Sequence, residues 1–403
     1  MKTVAIISEY NPFHSGHAHQ IERIRDEFGS DTRIIAIMSG NFTQRGELAI
    51  ADKTVRAECA VRCGANLVLE LPFPFSMSSA EFFAKSGVRI ADRIGAVDVL
   101  SFGSESGDID SLSEIAKNMD NEEYLSLVNS ELTKSSGLGY PKVCEAVYKK
   151  LYNTEISSDV FTPNNILAIE YLKALKREHC QIVPHTIKRE GADYNDDKIS
   201  DSIHQSASAI RVEIFKKGVS AFDYIPKNSK PTLLTALEKG QLPCDADKLS
   251  AAVISHLRLN PDMPCDDIHD AMGGLYNRLQ GASRQASTIS SLIALADTKK
   301  YTTARIRRAL WNSYFGVTSS KVKELPLYTQ ALAMDGVGKS ILKEIKKKSQ
   351  IPIVTKPSAY DFLPDAAKRQ KEFSDAADSV FQLSKPAPQH AGFDLVATPF
   401  IMD

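Results

Sequence analysis

Two histidines and a glycine, in His14-Ser15-Gly16-His17, fall where an apolar β-branched run ends and a helical pattern begins. Thr3 to Ile7 is the run, Pro12 breaks regular structure, and Ile21, Ile24 and Phe28 recur at helical spacing. A strand, a tight loop and a helix start leave backbone N–H groups and the positive end of a helix dipole pointing out of the loop, which makes an anion site. Gly16 lets a phosphate come close to the backbone, and the two imidazoles add donors. Far along the chain, Ser206-Ala207-Ser208-Ala209-Ile210-Arg211 offers two hydroxyls at a helix start and an arginine one turn on. That arginine can fork onto phosphate oxygens. A serine-rich helix start is also an ordinary cap. Paired with His14 and His17 on one sheet edge it becomes a second phosphate cradle, and two cradles point to a nucleoside triphosphate.

These residues need elements to position them. Arg33–Met38, Asn66–Leu71 and Val97–Phe102 read as further buried strands, with helices over Ala51–Cys63 and Ser79–Ile94 between them. Four alternations of strand and helix in about 110 residues predict a parallel sheet with helices on both faces. Gln181–Ile187 reads as a fifth strand, and Thr162-Pro163-Asn164-Asn165 opens the helix before it. The loops 8–17, 39–47, 103–108 and 188–211, the last beginning Lys188-Arg189-Glu190-Gly191, then lie at successive strand ends. Ligands of open α/β sheets bind at the carboxyl ends of strands. Beyond Lys217 the character changes: Pro226, Pro231 and Pro243 punctuate the chain, and strand signals vanish until Ile351–Thr355. Helical patterns cover Ala246–Leu259, Asp266–Gly281 and Thr288–Ala296. The expected architecture is α/β: a Rossmann-like parallel-sheet domain over 1–218, then a mainly helical region over 219–403.

The 403 residues suggest two or three domains, and 43% hydrophobic with 25% charged content is globular. A formal net charge of −1 leaves any nucleic-acid signal to charge distribution. The six cysteines form no Cys-x-x-Cys pair and read as reduced thiols of a cytosolic protein, with no metal site of their own. No signal-peptide core and no run of the ~18 apolar residues that a membrane span needs is present. A soluble, cytoplasmic protein is expected, with no protein partner evident. Gly336-Val337-Gly338-Lys339-Ser340 ends like a phosphate-binding P-loop, but lacks its upstream glycine and has no predicted strand before it.

His-x-Gly-His after the first strand resembles the signature of the adenylyl-transferring α/β superfamily. The wider blocks Glu9-Tyr10-Asn11-Pro12-Phe13-His14-Ser15-Gly16-His17, Met38 to Glu47, and Asp52-Lys53 resemble the tRNA-Met cytidine acetate ligase family. The resemblance implies attack of acetate on the α-phosphorus of ATP, with magnesium arriving on the nucleotide, and transfer of acetyl to the wobble cytidine of elongator methionine tRNA. It implies that ATP meets the loop Ile7, Ser8, Glu9, Tyr10, Asn11, Pro12, Phe13, His14, Gly16 and His17. Gly103, Arg189 and one of Asn164 and Asn165 are implied as further ATP contacts. Such chemistry needs positioning and charge neutralisation rather than a protein nucleophile. His14 and His17 are expected to donate to the phosphates, Ser206, Ser208 and Arg211 to hold the departing pyrophosphate, and Lys53 to be a further cation.

A polynucleotide signal lies later. Asp297–Lys348 holds nine lysines and three arginines against four acidic residues. Arg305, Arg307 and Arg308 are flanked by Tyr301 and Trp311, and Lys346 and Lys347 follow, a pattern that suits backbone contact with stacking on unpaired bases. Gly336-Val337-Gly338 before the lysine-rich helix suggests a turn that hugs phosphates. Two other readings stand beside the ligase: an adenylyltransferase for a small phosphorylated metabolite, which has no need of the second half, and a nucleotide-regulated RNA-binding protein without catalysis.

Overall fold

The structure, a computed structural model, describes residues 1–134, 140–153, 158–189, 205–263, 265–392 and 396–403. Strands β1 (Thr3–Ser8), β2 (Arg33–Ser39), β3 (Leu67–Leu71), β4 (Val99–Ser104) and β5 (Val183–Lys188) fall within two residues of the expected bounds. They lie in the order β5-β4-β1-β2-β3, every neighbour parallel. The chain moves one way from β1 to β3 and then crosses to the far side of β1 for β4. The topological switch therefore lies between the carboxyl ends of β1 and β4, where a doubly wound sheet binds its ligand.

β1 to β3 are almost wholly buried, as strands covered on both faces must be. One face packs on the helices Ala80–Arg93, Pro163–Arg177 and Gly336–Lys348 through Phe83, Ile90, Ile169 and Ile341. The other packs on Ser15–Phe28, Lys53–Arg62 and Ala207–Lys217 through Ile21, Ile24, Val61 and Ile210.

The second half departs from expectation most in one strand. Thr329–Met334 forms β6, antiparallel to β3 and buried along its whole length. Its sequence, Thr-Gln-Ala-Leu-Ala-Met, is mostly helix formers, so propensity does not reveal it and burial against β3 decides. The two-residue strands β7 (Ile353–Val354) and β8 (Phe400–Ile401) pair alongside β6. One sheet thus draws strands from both sides of position 218. The rest of 219–403 is helical as read, although the helix expected from Asp266 starts only at Leu275. A third core joins these helices through Val253, Leu279, Leu310 and Trp311, and it takes in Phe42 and Leu48 from the segment after β2.

β6 also corrects the reading of Gly336-Val337-Gly338-Lys339-Ser340, since a strand does precede it. The phosphate turn is nonetheless absent there. Asp335 caps the following helix, its Oδ1 accepting the Gly338 N–H at 2.7 Å. A Cβ on Gly338 would stand 1.9 Å from the Asn66 carbonyl oxygen. The glycine hugs protein backbone, and a carboxylate takes the N–H that a phosphate would need. Among the described residues no helix is long and apolar enough to cross a membrane.

Candidate active site

A cleft opens over the switch between β1 and β4, and the β1 loop builds most of its wall. His14 is the N-cap of the helix Ser15–Phe28: its Nδ1 accepts the Gly16 N–H at 3.1 Å, while its own N–H donates to Nδ1 of His17 at 3.2 Å. Each imidazole accepts at Nδ1, so each neutral ring carries its proton on Nε2 as a donor. The rings lie 3.9 Å apart. Burial, then His14 and Arg189 nearby, hold His17 well below its ordinary pKa, so it stays neutral. Two N–H donors at a helix start suit phosphate oxygens.

Tyr10 supports the pair from below, its buried ring edge-on to Phe13 and to His17, with both centroids at 4.8 Å. The turn costs backbone strain: Tyr10 sits at φ +46°, worth about 1–3 kcal/mol for a non-glycine residue. Phe13 and Pro12 belong to this supporting layer, whereas Ile7, Ser8, Glu9, Tyr10, Asn11, His14 and His17 line the cleft. Gly16 lines an adjoining hollow with Arg189 and Gln205. Glu9 accepts the Gln44 N–H at 2.9 Å. Burial raises its carboxyl against the pull of Arg211, and Glu47 nearby adds to the rise.

The second cradle arrives across the cleft. Ser208 and Arg211 line it, and Arg211 donates through Nη1 to the Asn11 carbonyl at 2.9 Å and through Nη2 to Ser208 Oγ at 3.2 Å. Ser206 instead caps the helix Ala207–Lys217, its buried Oγ accepting the Ala209 N–H at 3.0 Å. Gly103 near the end of β4 and Arg189 just after β5 line both hollows, and a Cβ on Gly103 would stand 3.1 Å from Cγ of Arg189. Of the two asparagines, Asn164 faces the cleft. Asn165 turns to the β4 loop, its Oδ1 accepting the Glu105 N–H at 2.9 Å. The Glu105 carboxylate in return accepts the backbone N–H groups of Asn164 and Asn165, at 3.2 and 2.7 Å. Glu190 and Gly191 lie outside the described residues.

Lys53 is not brought to the cleft. It is 1% exposed beneath the 39–47 loop, with Nζ 2.9 Å from Glu70 and 2.5 Å from Asp378. Its backbone N–H donates to Asn41, which in turn donates to Asp378. Asp378 belongs to the helix Asp365–Phe381, so this lysine ties the end of the chain to the sheet.

The basic stretch divides. Lys346 and Lys347 are exposed on the helix Gly336–Lys348, and Arg305 is partly exposed over the Tyr301 ring. Arg308 is buried, 2.7 Å from Asp270, and Arg307 pairs with Glu47. Trp311 is 1% exposed and donates its indole N–H to the Gly46 carbonyl at 3.1 Å, so it offers no face to a base. Arg307 and Arg308 are far from the cleft loops in sequence, but the fold sets them against 44–47.

Further polar residues with no role assigned in the sequence stand in the wall. Gln20, Gln44, Arg45 and Tyr171 line the cleft. Arg56, buried under it, donates to the carbonyls of Glu9, Ser39, Gly40 and Ala51 and so fixes the ends of β1 and β2. Burial lowers its pKa to about 10, and it remains a cation at neutral pH. Arg45 and Glu47 were visible within a motif block, whereas a lone arginine on a helix gives no signal.

Residues 1–393 match the model of a family described as HIGH Nucleotidyl Transferase. The chain is 38% identical over 402 residues to the tRNA(Met) cytidine acetate ligase of Thermoanaerobacter sp. (strain X514), covering 98% of each protein. It is 38% identical over 421 residues to the protein of that name from Acetivibrio thermocellus, covering 100% of each. The structure is similar to that of Thermotoga maritima TmcAL bound with alpha-thio ATP, at a TM-score of 0.90 and 30% identity, covering 100% of this chain and 99% of that one. Against the apo form of the same protein the TM-score is 0.92, with 100% of each covered.

Proposed function

This chain belongs to the HIGH nucleotidyl transferase family and, within it, to the tRNA(Met) cytidine acetate ligases, and from that premise we propose what its cleft does. It is an ATP-dependent ligase that makes acetyl-adenylate from acetate and ATP, then acetylates N4 of the wobble cytidine of elongator methionine tRNA. An acetate oxygen attacks the α-phosphorus, the bond to the bridging oxygen of the β-phosphate breaks, and pyrophosphate leaves. The cytidine amine then attacks the acetyl carbonyl, a proton is lost from nitrogen, and AMP departs. The cytoplasm is the compartment proposed.

The observation that supports this reading most is the convergence of His14, His17, Ser208 and Arg211 on one cleft at the β1/β4 switch. His14 and His17 give N–H donors to the phosphates, and Ser208 and Arg211 hold the pyrophosphate end as charge moves onto it. Gly103, Asn164 and Arg189 line the same cleft and are proposed for the nucleoside. Magnesium carried on ATP would neutralise phosphate charge. Among the described residues no group of three or more His, Cys, Asp or Glu could hold a metal ion. Residues 1–218 are proposed as the catalytic part and 219–403 as the part that meets tRNA, through Arg305, Lys346 and Lys347.

The test is incubation with ATP labelled in the α-phosphate, acetate, and total tRNA, each also left out in turn. AMP and pyrophosphate should appear in equal amounts with acetylated tRNA. Accumulation of ADP and phosphate would mean an acyl-phosphate route and sink the assignment.

A further inference from the structure

Arg211 does not stand in the cleft wall by itself. Glu47 Oε2 lies 2.6 Å from its Nη2, while Oε1 of the same carboxylate takes Nη1 of Arg307, on the helix Thr303–Phe315 of the second half. One carboxylate therefore bridges an arginine of the cleft and an arginine of the helical region. The loop that carries it is fixed to that helix twice more. The Arg308 guanidinium donates to the Gln44 carbonyl at 3.2 Å, and Trp311 holds the Gly46 carbonyl. Gly46, at φ +71°, permits this approach, since a Cβ there would meet the Arg308 backbone nitrogen at 2.6 Å.

We propose that Glu47 is a positioning residue: anchored by Arg307, it orients Arg211 toward the leaving pyrophosphate. This rests on the reading of Arg211 as a phosphate ligand. Arg211 has five N–H donors, and Asn11, Ser208 and Glu47 take three of them. The bonds fix the plane of the guanidinium and leave two N–H groups for a ligand. A carboxylate near a triphosphate repels it, so Glu47 works against ground-state binding of ATP. Its benefit must come where pyrophosphate charge develops, and only interactions stronger in the transition state raise the rate of the chemical step. The adenylation site would thus depend on a helix outside 1–218.

The experiment is single-turnover acetyl-adenylate formation by the full chain without tRNA, at varied ATP, for wild type, Glu47→Gln, Arg211→Ala and the double variant, with Arg307→Ala alongside. Glu47→Gln should lower the limiting rate about tenfold, the worth of one charge-assisted hydrogen bond. The ATP concentration at half-maximal rate should stay level or fall, because a negative charge is gone. In the Arg211→Ala background the same change should cost less than about twofold. Arg307→Ala should lose about threefold alone and nothing further once Glu47 is Gln. An equal loss in both Arg211 backgrounds, or a raised ATP requirement at full rate, would assign Glu47 to the loop and overturn the proposal. No loss at all would overturn it too. If Arg211→Ala itself neither slows the step nor weakens ATP, the phosphate reading of Arg211 fails first, a result distinct from the others. Should Glu47→Gln not fold, the cycle of Arg307→Ala with Arg211→Ala decides, since independent losses there reject the relay.

Discussion

Two charged clusters lie on opposite sides of the segment 39–53. Toward the cleft are Glu9, Arg45 and Arg211, with Arg189 across from them. Beneath are Lys53, Glu70 and Asp378, and next to these Asp52 with Lys385, each 1–2% exposed. In the lower cluster protein groups answer one another: burial alone would raise the Asp52 carboxyl, but Lys385 and the Thr54 N–H outweigh it and hold it below the usual range. In the upper cluster Arg45, Arg189, Arg211 and the two imidazoles line a hollow, which we propose takes a triphosphate. The same residue types serve as mortar in one place and as a receptor in the other. Access to the cleft decides which, and access is a property of the fold.

The contrast breaks most visibly at Lys53. Lys53→Met leaves two buried carboxylates facing each other and should cost about 3–5 kcal/mol of stability, read as a lower urea midpoint. ATP affinity of the folded protein should change little. A variant that stays as stable as wild type but no longer forms adenylate would return Lys53 to the cleft.

The upper cluster responds in the opposite way. His14→Ala or His17→Ala should slow acetyl-adenylate formation about 100-fold, the usual worth of a preorganised donor at a developing charge. Each histidine also caps the helix Ser15–Phe28, so about 1 kcal/mol of stability goes with it. Near-wild-type turnover in either would move the chemistry elsewhere.

The smallest expected effect sharpens the comparison at the surface. Alanine at Lys346, Lys347 and Arg305 should weaken tRNA binding and flatten its salt dependence, by roughly 0.7–0.9 in the log–log slope for each phosphate no longer neutralised. Adenylate formation without tRNA should be unchanged. Affinity and slope identical to wild type would make these side chains a solvated face. Arg307 and Arg308 do not belong in that set, because changes there reach the cleft through Glu47 and Gln44.

The first five strands and the two loops that meet at the cleft were legible because β-branched runs, glycine and histidine state their geometry locally. What stayed hidden depends on distance along the chain. Lys53 meets Asp378 across 325 positions, and Glu47 meets Arg307 across 260. Asp52-Lys53 at a helix start carries no sign of burial until its partners are known. Arg305, Arg307 and Arg308 look alike as a basic run, yet Arg308 is buried on the Asp270 carboxylate, while Arg305 is half-buried over Tyr301 and donates to the Asp270 and Met272 carbonyls. Helical periodicity does not separate them: Ile306, Ala309 and Leu310 mark one side, and Arg308, at about 100° per residue, falls on the far side from them although it is buried.

β6 has a consequence for how the protein is made. The edge of β3 that it covers leaves the ribosome long before Thr329–Met334 does, with more than 250 residues to be synthesised in between. At about 5–20 residues per second, nascent chains carry an open, apolar strand edge for roughly 15–50 s. Such an edge is a template for pairing with other chains. Ribosome-arrested chains ending near 320 should therefore bind chaperones or aggregate, and chains that have extruded residue 334 should be protected. Equal behaviour of the two would show that the edge is shielded by other means during synthesis.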